Sequence, residues 1–280
     1  MLLEGERFMN DKFVEMTVRE SQLAALGILK KVDNILKELD IEYIAMYGTL
    51  LGAIRHKGFI PWDDDLDIGI RKSDYFKLKK YFQNNKSNLF PLELHDTKLN
   101  KDCFYNMARI SDTTYFYSFD QMRYTSGAFI DVYMLEGLGN DEDIEYWKNR
   151  FARYPYHQKW LYMSCTKGVL FGNSNIHQLL NIPRCIIAKI LGRDYFLKWF
   201  NDKKEFDWDE STYIGNPMWE TTRYKKEWIE NPIRVQFEDM LISVPSNYET
   251  ILRRSYNNYM ELPPENDRKP SHGYVGYRRV

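Results

Sequence analysis

Four carboxylates, Asp63, Asp64, Asp65 and Asp67, fall within five positions and run straight into the apolar residues Leu66, Ile68 and Ile70. Like charges this close repel, and the cost grows as an apolar strand strips water from them. A divalent cation would cancel that cost. Side chains alternate along a strand, so Asp65 and Asp67 share one face while Leu66 and Ile68 turn into the core. A further carboxylate, Asp131, sits in the apolar run Gly127–Met134, between Ile130 and Val132. If the two strands are neighbours, Asp65, Asp67 and Asp131 converge. Three carboxylates with few other ligands suit Mg²⁺, a hard ion that keeps waters and binds substrate phosphates, with Mn²⁺ as the alternative. One or two such ions would clamp the attacking and leaving oxygens of an in-line displacement.

Upstream, Gly48 and Thr49 stand at a predicted strand-to-helix turn. Glycine lets a phosphate approach the backbone, and a helix N-terminus offers free N–H groups and partial positive charge. Arg55, about one and a half turns along that helix, is placed to neutralise a diphosphate oxygen. Trp62 either stacks on a sugar or, as most tryptophans do, packs to pin the loop. Asp63 and Asp64 either hold an acceptor or a bound water, or are simply solvated. An EF-hand fits the acids poorly: its sixth position would be Ile68 and its twelfth Asp74, and Pro61-Trp62 precedes it in place of a helix. A glycosyltransferase DxD motif would normally follow a fuller nucleotide-binding half than the residues available here.

The elements that must carry these groups are legible in outline. Thr17 and Glu20 form a capping box ahead of a helix with Leu26, Leu29, Val32, Leu36 and Leu39 at helical spacing. Residues 41–47 predict a strand, Thr49 the cap of a short helix, and 66–70 a second strand. Ser73 predicts the cap of another helix, residues 106–110 a further strand and 127–134 a strong one. From 141 to 200 the pattern is helical, with breaks expected near Pro155, at 168–173 and near Pro183. Short mixed elements follow, ending in the loop Leu262-Pro263-Pro264. This order predicts an α+β fold, locally α/β-like: a small mixed sheet flanked by helices, with a mainly helical insertion. We divide it into a catalytic core over 1–140, a helical substrate or acceptor region over 141–235, and a C-terminal segment over 236–280 that packs back on the core.

A net charge of −1 argues against nucleic acid as partner. Three scattered cysteines, Cys103, Cys165 and Cys185, exclude a disulfide framework and fit a reducing cytoplasm. The N-terminus lacks the basic-then-apolar pattern of an export signal, and no run approaches the roughly 20 apolar residues of a membrane span. Ile182 to Phe200 is apolar with Arg184, Lys189, Arg193 and Lys198 interspersed. That reads as a core helix with a basic solvated side, or as an interfacial helix lying at the inner face of a membrane.

The block Gly48-Thr49-Leu50-Leu51-Gly52-Ala53-Ile54-Arg55, followed by Phe59-Ile60-Pro61-Trp62-Asp63-Asp64-Asp65-Leu66-Asp67, resembles the LicD family of phosphocholine transferases and their fukutin-related relatives. Gly127 to Val132 and the tail Tyr259-Met260-Glu261-Leu262-Pro263-Pro264 with His272 extend the likeness, which is dense over 41–140 and 236–272 and weak between. The resemblance implies a nucleotidyltransferase fold of the polymerase-β type, with Thr49 in place of that fold's serine, Asp65 and Asp67 as its metal-binding pair and Asp131 as its third acid. It also brings His272 to the site. The activity it implies is Mg²⁺-dependent transfer of phosphocholine from CDP-choline to a hydroxyl of a glycan or lipid-linked glycan precursor (teichoic acid, capsule or lipopolysaccharide). Transfer of glycerol-phosphate or ribitol-phosphate from another CDP-alcohol is the alternative. A non-catalytic glycan-binding protein has no need of so costly an acid cluster.

Overall fold

The computed structural model describes residues 13–218, 222–270 and 272–280. The first twelve residues, on which the expectation about an export signal rests, lie outside the described residues.

Strand β1 (Phe13–Glu15) leads to helix α1 (Val18–Glu38). The Thr17 hydroxyl accepts from the Glu20 N–H, and the Glu20 carboxylate accepts from the Thr17 N–H, which closes the expected capping box. Leu29 and Val32 on this helix are fully buried against β5 (Ala108–Phe119) and β6 (Thr125–Gly137). Truncating such a leucine typically costs about 2–5 kcal/mol, the transfer term plus the cavity left behind.

After β2 (Tyr43–Ala45) comes α2 (Tyr47–Arg55), and then β3 (Asp67–Arg71). Helix α2 begins three residues earlier than the Thr49 cap predicts, with Met46 in the cap position. The reason is that the Thr49 hydroxyl is engaged elsewhere, accepting from the Asp67 N–H at 2.8 Å. Ser73 likewise does not cap α3 (Lys72–Asn84), which starts directly off β3 with Arg71 as its cap. Helix α4 (Lys86–Leu89) and β4 (Leu92–His95) complete this half.

With the last strand, β11 (Tyr274–Arg279), included, the sheet runs β1-β11-β5-β6-β3-β2, with β4 also on β5 and β7 (Tyr213–Gly215) on β6, followed by β8 (Arg223–Lys225). Strand β3 is parallel to β6, and the other pairings are antiparallel, so the sheet is mixed. Strand β11 (Tyr274–Arg279) follows the proline-rich tail loop that ends the predicted pattern, and it is bound between β1 and β5. Strand β5 also runs well past the predicted 106–110. Its register with β6 shifts between Asp112 and Tyr117. A Cβ on Gly127 would stand 1.9 Å from the Asp112 carbonyl oxygen, so only glycine fits there.

The middle is helical: α5 (Ile144–Cys165), α6 (Asn175–Leu191) and α7 (Arg193–Asn201) pack on one another. The predicted break over 168–173 is present. The breaks at Pro155 and Pro183 are not, because both prolines lie inside continuous helices. Each removes one hydrogen bond, at roughly 3 kcal/mol; the neighbouring turns and inter-helix packing of α5 and α6 hold the helices through them. Beyond them, β9 (Ile233–Phe237) and β10 (Met240–Val244) form a hairpin against β2 and α2, and α8 (Tyr248–Tyr256) also packs on α2.

Candidate active site

Register places the acids. Asp67 on β3 pairs with Asp131 on β6, and Asp131 pairs with Arg109 on β5. The three therefore form one row across three adjacent strands, with 4%, 5% and 3% of their surfaces exposed. The strand also needs its first turn fixed. Besides the Thr49 contact, the Met46 N–H donates to the Asp67 carbonyl and the Asp131 N–H to that of Leu66. Gly69 lets β3 pass under Met46, since a Cβ there would meet its sulfur at 2.5 Å.

The acidic loop is anchored from both sides. Gln22 on α1, buried, donates to the carbonyls of Ile60 and Asp63 at 3.1 and 2.7 Å. Glu238, between β9 and β10, accepts from the Phe59 N–H and from Arg19 at 3.0 and 2.7 Å. Gly48 makes room for the loop: a Cβ there would lie 2.2 Å from Asp63 Oδ2. Tyr47, beside it, is held at φ +46°, a conformation costly for a tyrosine and often kept at functional sites. Its ring stands edge-on to Tyr133, centroids 5.0 Å apart.

His272 reaches the acids from the tail. Its Nδ1 lies 2.7 Å from Asp64 Oδ1 and its Nε2 3.1 Å from Asp65 Oδ2. Burial opposes its charge, but the hydrogen bond with Asp64 and the attraction of Asp65 outweigh that and push its pKa up to about 9. The ring lies parallel to Tyr274, whose hydroxyl donates to the Asp64 carbonyl.

Burial, then repulsion from Asp63, pushes the Asp65 carboxyl up to about 8. Burial, then Asp65 and Asp131, raises Asp67 well above the carboxylate range, and burial raises Asp63 against the pull of His272. Asp67 Oδ1 is buried with no hydrogen-bond partner. An orphaned carboxylate oxygen beside a second destabilised carboxylate is what a hard cation satisfies, so Asp65 and Asp67 fit Mg²⁺.

Asp131 is engaged differently from the expectation that it joins the metal set. Both its oxygens accept from Arg109, Oδ1 from Nε at 2.7 Å and Oδ2 from Nη2 at 2.9 Å. Among the described residues, the group whose ligand atoms lie within 4.8 Å of one another is Asp63, Asp64 and His272; Asp65, Asp67 and Asp131 form no such group. Arg55 lines the site but donates to the carbonyls of Tyr259 and Glu261, so in this structure it holds the tail loop. Trp62 lines it too, with Arg268 over its ring at 5.7 Å.

Two cavities meet here, sharing Asp65, Tyr133 and His272. The larger, about 950 Å³, is lined by Gly48, Trp62, Asp63, Asp67 and the tail segment with Tyr256, Tyr259 and Lys269. The smaller, about 290 Å³, is walled by aromatic rings together with Arg109 and Asp131. Arg109 lies over Phe129 at 3.5 Å and Tyr105 at 4.4 Å. Sequence reasoning missed Arg109 and this cavity. The one available signal was a lone arginine between Ala108 and Ile110.

Residues 40–184 match the family model described as LicD/FKTN/FKRP, nucleotidyltransferase domain. The lipopolysaccharide cholinephosphotransferase LicD of Haemophilus influenzae is 30% identical over 272 residues, 94% of this chain and 98% of its own length. Uncharacterised proteins of Rickettsia prowazekii and Rickettsia typhi match over short stretches, at 45% identity over 58 residues and 48% over 52, each about a fifth of either chain. The match to the Haemophilus protein runs nearly end to end, and the family model takes in the acid row together with the strands that align it: this chain belongs to the LicD family.

Proposed function

We propose that the protein transfers phosphocholine from CDP-choline to a hydroxyl of a cell-surface glycan precursor and releases CMP, on a polymerase-β-like nucleotidyltransferase core in the cytoplasm. The observation that carries this reading is the aromatic cavity opening on Asp65. Its walls include Phe104, Tyr162, Phe171 and Tyr274. Arg109 is held on Asp131 through Nε and Nη2, with its Nη1 buried and left without a partner, and the Gln121 amide is held on Gly172 and Asp120. The ring faces of Phe104, Tyr162, Phe171 and Tyr274 attract a quaternary ammonium. The end-to-end match to a cholinephosphotransferase supports the same donor.

In this scheme the cytidine diphosphate occupies the larger cavity, its phosphates on the Gly48-Thr49 turn, and the choline head enters the smaller one. Mg²⁺ held by Asp65 and Asp67 would supply positive charge to the phosphate oxygens. The acceptor oxygen attacks the phosphorus bearing choline, and the bond from that phosphorus to the CMP oxygen breaks. Asp131 orients the acceptor hydroxyl and receives its proton through a lone pair not used by Arg109. Arg109 fixes that carboxylate, and His272 holds Asp64 and Asp65 in place. Positioning and charge neutralisation supply the rate enhancement, and no covalent enzyme intermediate is needed.

The test is CMP release from CDP-choline, CDP-glycerol and CDP-ribitol with a glycan acceptor, with and without Mg²⁺. Metal-dependent release from CDP-choline is expected. Release from a CDP-polyol alone would reassign the head group. No release from any donor, with metal-independent glycan binding, would leave a binding protein.

A further inference from the structure

Helix α6 reverses the arrangement of an ordinary surface helix. Its buried positions are Asn181, Cys185 and Ala188. Ile176, Leu179, Leu180, Ile187, Ile190 and Leu191 are exposed, Ile190 to 78% and Ile176 to 71%. Their spacing of three and four residues draws one aliphatic stripe down the outside of the helix. A contiguous patch of this kind marks an interaction surface.

Charge decides what covers it. Residues 144–201 carry nine lysines and arginines against two acids, Glu145 and Asp194, whereas the whole chain carries 39 against 40. Cations lie beside the stripe: exposed Lys159 and Arg184 share a cleft with Leu180, and exposed Lys198 shares another with Ile187 and Leu191. Lys159, Arg184 and Lys198 enter no ion pair among the described residues. A second copy docking through the same face would press like charges together. Anionic headgroups would neutralise them while the stripe enters the acyl boundary. Tyr156 and Tyr195, exposed to 63% and 55%, rim the second cleft, with Trp160 and Trp199 inside it, the ring types that settle at headgroup level. No helix of the described residues is long and apolar enough to cross a membrane, so this one would lie on the surface.

We propose that the outer face of α6 docks the protein on an anionic lipid bilayer. Phe171 and Asn173, just ahead of α6, line the aromatic cavity, and Phe171 also lines the cleft with Lys159 and Arg184. Gln121 clamps the intervening Gly172 through both its N–H and its carbonyl. Docking therefore brings the cavity beside the lipid surface, where an acceptor carried on a lipid would present its glycan.

The test is flotation of the full chain with vesicles of phosphatidylcholine alone or mixed with phosphatidylglycerol. The protein should float with the anionic vesicles only, and less so as salt rises. The double variant Ile187→Ser/Ile190→Ser should partition about tenfold more weakly or worse, as should Lys159→Glu/Lys198→Glu, with melting temperature and CMP release from soluble substrates unchanged. Three results would overturn the proposal. One is a wild type unbound to either vesicle, and another is a serine variant that binds as the wild type does. A lipid-free dimer that the serine variant dissociates would assign the face to a second copy. CMP release is read separately, so failure here leaves the catalytic reading standing.

Discussion

Arg109 and Asp131 face each other across β5 and β6 in a doubly hydrogen-bonded pair, at 2.7 and 2.9 Å, with the guanidinium pressed on the Phe129 ring. The pair does two things. It gives the row of buried charges its one fixed cation, and it sets the plane of the Asp131 carboxylate beside Asp67. Burying two ions is costly, and the pair repays that cost only while both partners are present.

Removing one partner should therefore cost more than removing both. Arg109→Met leaves Asp131 buried without its cation and should lower the urea-unfolding free energy by about 3–5 kcal/mol. Arg109→Met/Asp131→Leu should recover much of that loss while remaining inactive. Arg109→Lys keeps the charge but not the fork, so it should fold better than the methionine variant and still lose turnover. If the double variant is as unstable as the sum of the singles, the pair is not coupled and Arg109 does not position Asp131.

Asp65 and Asp67 should behave in the opposite sense. Both are raised by burial and by neighbouring carboxylates, Asp65 chiefly by Asp63 and Asp67 chiefly by Asp65, so the metal-free protein holds them at a cost. Asp65→Asn or Asp67→Asn should abolish turnover yet leave the melting temperature in EDTA equal to or above that of the wild type. Mg²⁺ should raise the melting temperature of the wild type and leave the variants unmoved. An equal Mg²⁺-induced rise in either variant would remove that residue from the metal set.

What the sequence discloses of this site follows from physical context. Asp65, Asp67 and Asp131 are visible because a carboxylate in an apolar strand is anomalous. The helix α1 is visible because its capping box and its apolar spacing agree. Arg109 breaks the same rule as Asp131, but its strand, ending at Phe119, also carries Asp112, Tyr115 and Tyr117, which blur the pattern. His272 carries no local signal, since its role comes from β11 returning beside β5, a pairing 160 residues apart in the chain that only tertiary packing fixes. The cap expected at Thr49 fails for a related reason. A hydroxyl near a helix start is a cap only if no other donor claims it, and the Asp67 N–H claims that of Thr49.

Asp33 offers a pH test away from the acidic cluster. It is buried on α1 and accepts from Lys37, from Tyr43 at 3.0 Å, and from Arg234 on β9 at 2.9 Å, so it ties the β9–β10 hairpin to the core. Burial alone would raise its pKa, but the hydrogen bonds from Arg234, Lys37 and Tyr43 together outweigh burial and hold it below the ordinary value. A depressed carboxyl contributes stability that is present above the unfolded value, near 3.9, and is lost as pH falls through the folded one. Asp33→Asn should thus lower the melting temperature at pH 7, and the gap to the wild type should close on acidification below about pH 4. A gap that stays constant from pH 7 to pH 3 would contradict the assignment.

The aromatic cavity makes the last prediction. If its rings hold a trimethylammonium, removing one should penalise CDP-choline and spare a donor with no cation. Phe171→Ala and Tyr162→Ala each remove a wall. A cation–π contact in a desolvated site is worth about 1–2 kcal/mol. Each variant should therefore raise KM for CDP-choline by about tenfold, with kcat changing less, because the head group binds alike in ground and transition states. Slow turnover of CDP-glycerol, if the wild type shows any, should be unchanged. Competition by free choline should weaken in parallel, and that readout does not depend on the acceptor. If instead kcat falls equally for both donors while choline competition is unaltered, the rings serve only to shape the protein, and the head group lies elsewhere.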